Sequence, residues 1–174
     1  MSSIDYDLTL IRGIAFDVDG VLSPATVTLG DDGIPRRMAN LRDGYAMVQA
    51  ARAGLHMAVI SGGDSEALRR RFDIIGISDV HLGAGDKLPL LLGWMERRGL
   101  RPEQVAYMGD DVPDVAPMRH VGLPIAPADA CADAIMAARH VTRAAGGYGA
   151  AREVIEQILR ARGLWAEAPA NSGQ

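Results

Sequence analysis

Apolar runs of strand length alternate with segments of helical periodicity along most of the chain. Stretches 10–16, 55–60, 79–82, 105–108 and 123–126 predict strands. Two of them, Met57-Ala58-Val59-Ile60 and Val105-Ala106-Tyr107-Met108, are almost continuously apolar, as expected of a parallel sheet covered on both faces. Between the strands, the spacing predicts helices over 42–53, 65–75, 87–98, 114–121 and 132–138, with a last one over 150–162. Gly54, Gly76, Gly99 and Gly122 each follow a helix, where a left-handed C-terminal cap is expected. Ser65 or Asp64 can cap the second helix, and Pro102 breaks the chain before the fourth strand. Short β-like segments at 26–29 and 34–38 flank Gly30-Asp31-Asp32-Gly33, a hairpin signal. The expected fold is α/β: a doubly wound parallel (Rossmann-like) sheet, with a small β-hairpin insertion at about 24–39 in place of a cap domain. One domain is expected over 1–165, and the small, polar stretch 166–174 is expected to be a flexible tail.

Composition narrows the function classes. The chain has 174 residues, 48% of them hydrophobic and 23% charged, which suits one globular domain. A net charge of −4 with no long basic block argues against nucleic acid or an anionic membrane as partner. Arg69-Arg70-Arg71 fits the solvated face of a helix better than a binding patch. The single cysteine, Cys131, leaves no intrachain disulfide and no multi-cysteine metal site. Met1-Ser2-Ser3-Ile4-Asp5 lacks a basic segment followed by an apolar one, and the apolar stretch 88–94 is too short to span a bilayer. A cytoplasmic enzyme or binding module is expected. His56, His81, His120 and His140 match no metal spacing, and Trp94 with Met95 falls at core-like helical positions.

Ligands of open parallel sheets bind beyond the carboxyl ends of the strands. There the sequence places Asp17-Val18-Asp19-Gly20 after the first strand and Ser61-Gly62-Gly63 after the second. Asp86-Lys87 follows the third, and Gly109-Asp110-Asp111, with Asp114 three residues on, follows the fourth. Each piece alone has a plain reading: a turn, a loop, a solvated lysine, a helix N-terminus. Their succession at strand ends is what those plain readings do not require. Two carboxylates about 4 Å apart repel by roughly 4 kcal/mol at an effective dielectric near 20, so this cluster calls for a cation. All-oxygen ligands favour Mg²⁺ over zinc, and Mg²⁺ commonly shares its shell with phosphate. Asp17 can then attack phosphorus, and Asp19 can protonate the leaving oxygen and later deprotonate water. Lys87, the Ser61 hydroxyl and the amides of Gly62 and Gly63 can hold the phosphoryl charge. Asp110 completes the metal shell, with Asp111 and Asp114 as orienting groups.

These residues resemble the four motifs of the haloacid dehalogenase superfamily. Phe16-Asp17-Val18-Asp19-Gly20-Val21-Leu22 is similar to the first motif, Ser61 to the second, Lys87 to the third and Gly109-Asp110-Asp111-Val112-Pro113-Asp114 to the fourth. The resemblance implies Asp17 as nucleophile, and Mg²⁺ held by Asp17, Asp110 and the backbone carbonyl of Asp19. A closer resemblance, from about residue 11 to 165, is to the 3-deoxy-D-manno-octulosonate 8-phosphate (KDO 8-phosphate) phosphatases of lipopolysaccharide synthesis. Asn40-Leu41-Arg42-Asp43-Gly44-Tyr45 looks like their substrate segment, which implies substrate contacts from Asn40, Arg42, Asp43 and Gly44. Gly146-Gly147-Tyr148-Gly149-Ala150-Ala151-Arg152-Glu153 is similar to their C-terminal signature. The implied substrate is a small phosphorylated keto-sugar acid. The implied assembly is a homotetramer in which the hairpins meet and a tail covers a neighbouring site. Many members carry arginine where this chain has Gly63: either another cation, such as Arg42 or an arginine from a neighbouring chain, replaces it, or the sugar differs. Phosphatases of nonulosonate 9-phosphates are the competing reading within this class. Outside it stand a phospho-accepting receiver, whose acceptor follows the third strand, and a non-catalytic phosphatase-like assembly module.

Overall fold

The computed structural model describes residues 3–165. The tail expected at 166–174 lies outside them. Six strands form one sheet in the order β5-β4-β1-β6-β7-β8: β1 (Gly13–Phe16), β4 (His56–Ile60), β5 (Asp79–His81), β6 (Val105–Met108), β7 (Leu123–Ala126) and β8 (His140–Val141). All its pairings are parallel. The hairpin strands β2 (Thr28–Leu29) and β3 (Pro35–Arg36) pair antiparallel and stand apart as a second sheet.

Successive strand residues face opposite sides of the sheet, and each side has its own core. Ile14, Phe16, Met57, Val59, Ala106 and Met108 pack on one face under α1 (Leu41–Arg52), α2 (Glu66–Ile75) and α6 (Ala150–Ala161). Ala15, Ala58, Ile60, Val105 and Tyr107 pack on the other under α3 (Lys87–Arg98), α4 (Val112–Met118) and α5 (Ala132–Ala137). Both faces are therefore dry, which explains the near-continuous apolar strands. Trp94 and Met95 are core residues of the second face.

Several boundaries differ from expectation, each for a local reason. Residues 8–10 form a short 3₁₀ turn capped by Asp7, so the first strand starts at Gly13 rather than residue 10. The hairpin ladder is two residues long on each strand, because Pro35 offers no backbone donor. The fourth helix begins at Val112, since Asp111 caps it and Asp114 closes a reciprocal capping box. Gly76 and Gly99 end their helices left-handed, at φ 92° and 62°. Gly122 does not; a side chain there would strike the Tyr6 hydroxyl and the backbone of Glu103. The strand β8 was not expected, because two residues are too few to show a period.

Candidate active site

The chain runs from central β1 to β4 and β5 on one side, and β6, β7 and β8 lie on the other. That leaves a crevice at the carboxyl end of β1 between β4 and β6. A concavity of about 310 Å³ opens there, lined by Asp17, Asp19, Ser61, Gly62, Gly63, Lys87, Asp110, Asp111 and Asp114 among others. Four separate strand ends deliver those residues, as the sequence pattern required.

Asp17 follows β1 directly and is buried. Its Oδ1 accepts the Val18 amide at 2.6 Å, and its Oδ2 pairs with Lys87 Nζ at 3.0 Å. Lys87 is the first residue of α3, behind the N-cap Asp86, and is 6% exposed. Its ammonium also reaches Asp114 Oδ1 at 2.8 Å. Asp114 is fully buried and saturated. Oδ1 accepts from Lys87 and from the Tyr107 hydroxyl at 2.7 Å, while Oδ2 accepts the amides of Asp110 at 3.1 Å and Asp111 at 3.3 Å. Asp114 therefore orients Lys87 and the loop that carries Asp110. Tyr107 was read from the sequence only as a strand residue; a phenol on the face shared with α3 and α4 was the available signal.

Asp110 is different. Its buried Oδ1 has no hydrogen-bond partner, and its carboxylate lies against the bare Cα face of Gly20, which turns at φ +86°. One carboxylate oxygen each from Asp17, Asp110 and Asp114 come within 4.8 Å of one another. Burial pushes Asp110 up to about 7, with the charges of Asp17 and Asp114 adding to it and Lys87 opposing. Burial likewise raises Asp17 to about 6, reinforced by Asp114 and opposed by Lys87 and the Val18 amide. Burial disfavours the Lys87 ammonium, but its two carboxylate partners outweigh that and hold it above the ordinary value. Among the described residues, the carboxylates of Asp17, Asp19, Asp110, Asp111 and Asp114 gather here against the cations Lys87 and Arg37, so negative groups outnumber positive ones. An orphaned carboxylate oxygen and that surplus fit a hard divalent cation.

Ser61 is buried, and its Oγ accepts the Gly63 amide at 3.2 Å. Asp19 is half-buried, and both its oxygens are held by Arg37, Nε to Oδ1 at 2.6 Å and Nη2 to Oδ2 at 2.8 Å. Arg37 was missed; its signal was a basic doublet, Arg36-Arg37, where the hairpin returns to the sheet. Asn40, Arg42, Asp43 and Gly44 do not line this concavity. Asn40 caps α1 and donates to the Gly147 carbonyl at 3.1 Å. Arg42 is exposed beside a neighbouring hollow lined by Met38, Leu41, Gly147 and Tyr148. Asp43 is buried and accepts the Arg152 amide at 2.7 Å, and Gly44 packs under the Arg71 guanidinium. The Gly146-Gly147 pair abuts the backbone of Gly20 and Ser23, with Gly147 donating to Val21 at 2.8 Å. That signature braces the loop bearing Asp17 and Asp19.

A parallel sheet that gathers two aspartates after its first strand, a hydroxyl, a lysine and a third aspartate with an unpartnered oxygen defines an aspartate-based phosphoryl-transfer enzyme of the haloacid dehalogenase type. No family model matches the chain. The chain is 39% identical over 162 residues to the KDO 8-phosphate phosphatase KdsC of Escherichia coli K12, covering 93% of this chain and 86% of that protein. The Yersinia pestis KdsC is 38% identical over 152 residues, 87% of this chain and 81% of that one. Among solved structures, the Moraxella catarrhalis KDO 8-phosphate phosphatase, in complex with magnesium, phosphate and KDO, superposes with a TM-score of 0.86 at 32% identity, over 90% of each chain. The cobalt-bound Haemophilus influenzae phosphatase gives a TM-score of 0.86 at 36% identity, over 90% of this chain and 92% of that one. The chain belongs to the KDO 8-phosphate phosphatase family.

Proposed function

We propose that the chain is a Mg²⁺-dependent phosphatase that hydrolyses KDO 8-phosphate to the free sugar acid and phosphate in lipopolysaccharide precursor synthesis. The observation that carries this reading is the unpartnered Asp110 oxygen beside buried Asp17, in a site where carboxylates outnumber cations. Near full-length similarity to KdsC supports the particular substrate.

Asp17, Asp110 and the backbone carbonyl of Asp19 would hold the cation, which when bound neutralises the surplus charge and lets a phosphoryl group approach. Lys87 holds Asp17 ionised and offers its ammonium to the transferring oxygens. An Asp17 oxygen forms a bond to phosphorus as the sugar C8 oxygen leaves, taking a proton from Asp19. Asp19 then removes a proton from water, whose oxygen bonds phosphorus as the Asp17–phosphorus bond breaks. Ser61, Gly62 and Gly63 line the concavity, and Ser61 Oγ and the Gly62 amide would donate to the phosphoryl group.

The reading extends to a cytoplasmic homotetramer assembled through the hairpins. Leu29, Ile34 and Met38 on or beside the hairpin, with Leu41 after it, are between 55% and 78% exposed, an apolar display that a second copy can cover. Light scattering on the purified chain checks the mass. A phosphate-release screen comparing eight- and nine-carbon acidic keto-sugar phosphates tests the substrate: highest kcat/KM on KDO 8-phosphate is expected, and preference for a nine-carbon acid would transfer the chain to the other specificity.

A further inference from the structure

Arg37 is the best-placed cation that the mechanism above leaves unassigned. Its side chain is 11% exposed, and its guanidinium grips Asp19 in a two-point fork. The room for it is made at residue 63. A Cβ on Gly63 would collide with Arg37 Nη2, and would stand 3.2 Å from Arg37 Cζ and 3.1 Å from Asp19 Oδ2. Gly63 does not have a left-handed φ, so the turn itself does not require glycine. What the glycine provides is space, and the hairpin fills it with positive charge.

The fork as found works against Asp19 as a proton carrier, because each of its oxygens accepts from a guanidinium that favours the charged form. A planar guanidinium of this kind takes one carboxylate at a time in two-point geometry. Asp19 shows that this one accepts a carboxylate at the rim of the cavity. We propose that Arg37 is the receptor for the substrate's carboxylate, and that its fork transfers from Asp19 to the sugar acid when substrate enters, leaving Asp19 free to face the leaving oxygen. The space that Gly63 vacates is then a specificity device: acid sugars release Asp19, and neutral ones do not. This inference rests on the acid-sugar reading of the site.

The test compares wild type with Arg37→Ala, Arg37→Lys and the double variant Arg37→Ala/Gly63→Arg, using KDO 8-phosphate and the carboxylate-free mannose 6-phosphate. The readout is the ratio of kcat/KM for the acid over the neutral substrate. In Arg37→Ala the ratio should fall about tenfold or more, the loss expected for a charged hydrogen bond, with the larger part in KM for the acid. Arg37→Lys should recover a fraction, since it restores charge without the fork. The double variant should recover most, because a guanidinium carried on residue 63 starts from the space that the Arg37 side chain vacates. An unchanged ratio in Arg37→Ala overturns the proposal. So does an equal fall on both substrates that Gly63→Arg does not repair, which would assign Arg37 to the shared phosphoryl group or to the fold of the hairpin. A wild type that hydrolyses mannose 6-phosphate but not KDO 8-phosphate removes the acid-sugar reading itself, and the proposal with it.

Discussion

Mg²⁺ should stabilise the metal-free protein more at pH 8 than at pH 5. An unfolded aspartate loses its proton near pH 4, about 3.9, whereas Asp17 and Asp110 in the folded chain hold theirs to about 6 and about 7. Between those values the folded state binds more protons than the unfolded one, so stability of the metal-free chain falls as pH rises through that window. From pH 5 to pH 8, Asp110 contributes about two pH units and Asp17 about one, roughly 4 kcal/mol together at about 1.4 kcal/mol per unit. Solvent at the open rim screens these charges, and about 2 kcal/mol is the realistic figure. In a chain of 174 residues that corresponds to roughly 4–8 °C in Tm. Bound Mg²⁺ cancels the penalty at pH 8 but competes with protons at pH 5. Carboxylates shifted the other way, such as Glu156 between Arg152 and Arg160, act alike with and without the cation and drop out of the difference. Calorimetric melts in chelator and in millimolar Mg²⁺ at both pH values measure it. A Mg²⁺-induced rise that is equal at the two pH values, or larger in acid, would refute the reasoning.

Three further outcomes follow from the same geometry. Lys87→Met leaves Asp17 and Asp114 buried without their cation, so denaturant melts of the metal-free protein should show a loss of about 3–5 kcal/mol; a loss below about 1 kcal/mol would mean that the ion pairs are not holding the site. Gly20→Ala places a methyl group into the Asp110 carboxylate. Mg²⁺ affinity by calorimetric titration should drop at least about tenfold, the scale seen when a metal ligand's support is removed, and an unchanged titration would take Asp110 out of the metal site. Tyr107→Phe removes a buried donor to Asp114, with an expected cost of about 1–3 kcal/mol in urea melts; a neutral result would mean that Asp114 does not depend on it.

The sheet and the carboxylate cluster were legible because both depend on local rules. Strand ends in a doubly wound fold share one edge, so the aspartates following β1 and β6 had to meet Lys87 and Ser61. Long-range packing was not legible. The contact between Arg37 and Asp19 spans 18 residues and depends on an empty Cβ position at Gly63. The phenol of Tyr107 gained its role from a helix that folds back over its face of the sheet. Asn40, Asp43 and Gly44, expected as substrate contacts, fasten α1 to the loop before α6, to α6 and to Arg71. Their spacing is that of a helix N-terminus, and no sequence pattern separates a polar group that caps a helix from one that binds a ligand.

The most direct measurement is chemical. Wild type mixed with Mg²⁺ and KDO 8-phosphate, quenched in acid during turnover and mapped by mass spectrometry, should carry a phosphoryl group on the peptide containing Asp17, and borohydride should convert that position to homoserine. Asp17→Asn should show neither the adduct nor phosphate release while melting as a folded protein. Phosphate release by Asp17→Asn at the wild-type rate, or an adduct mapped to another residue, would contradict the assignment of Asp17 as nucleophile.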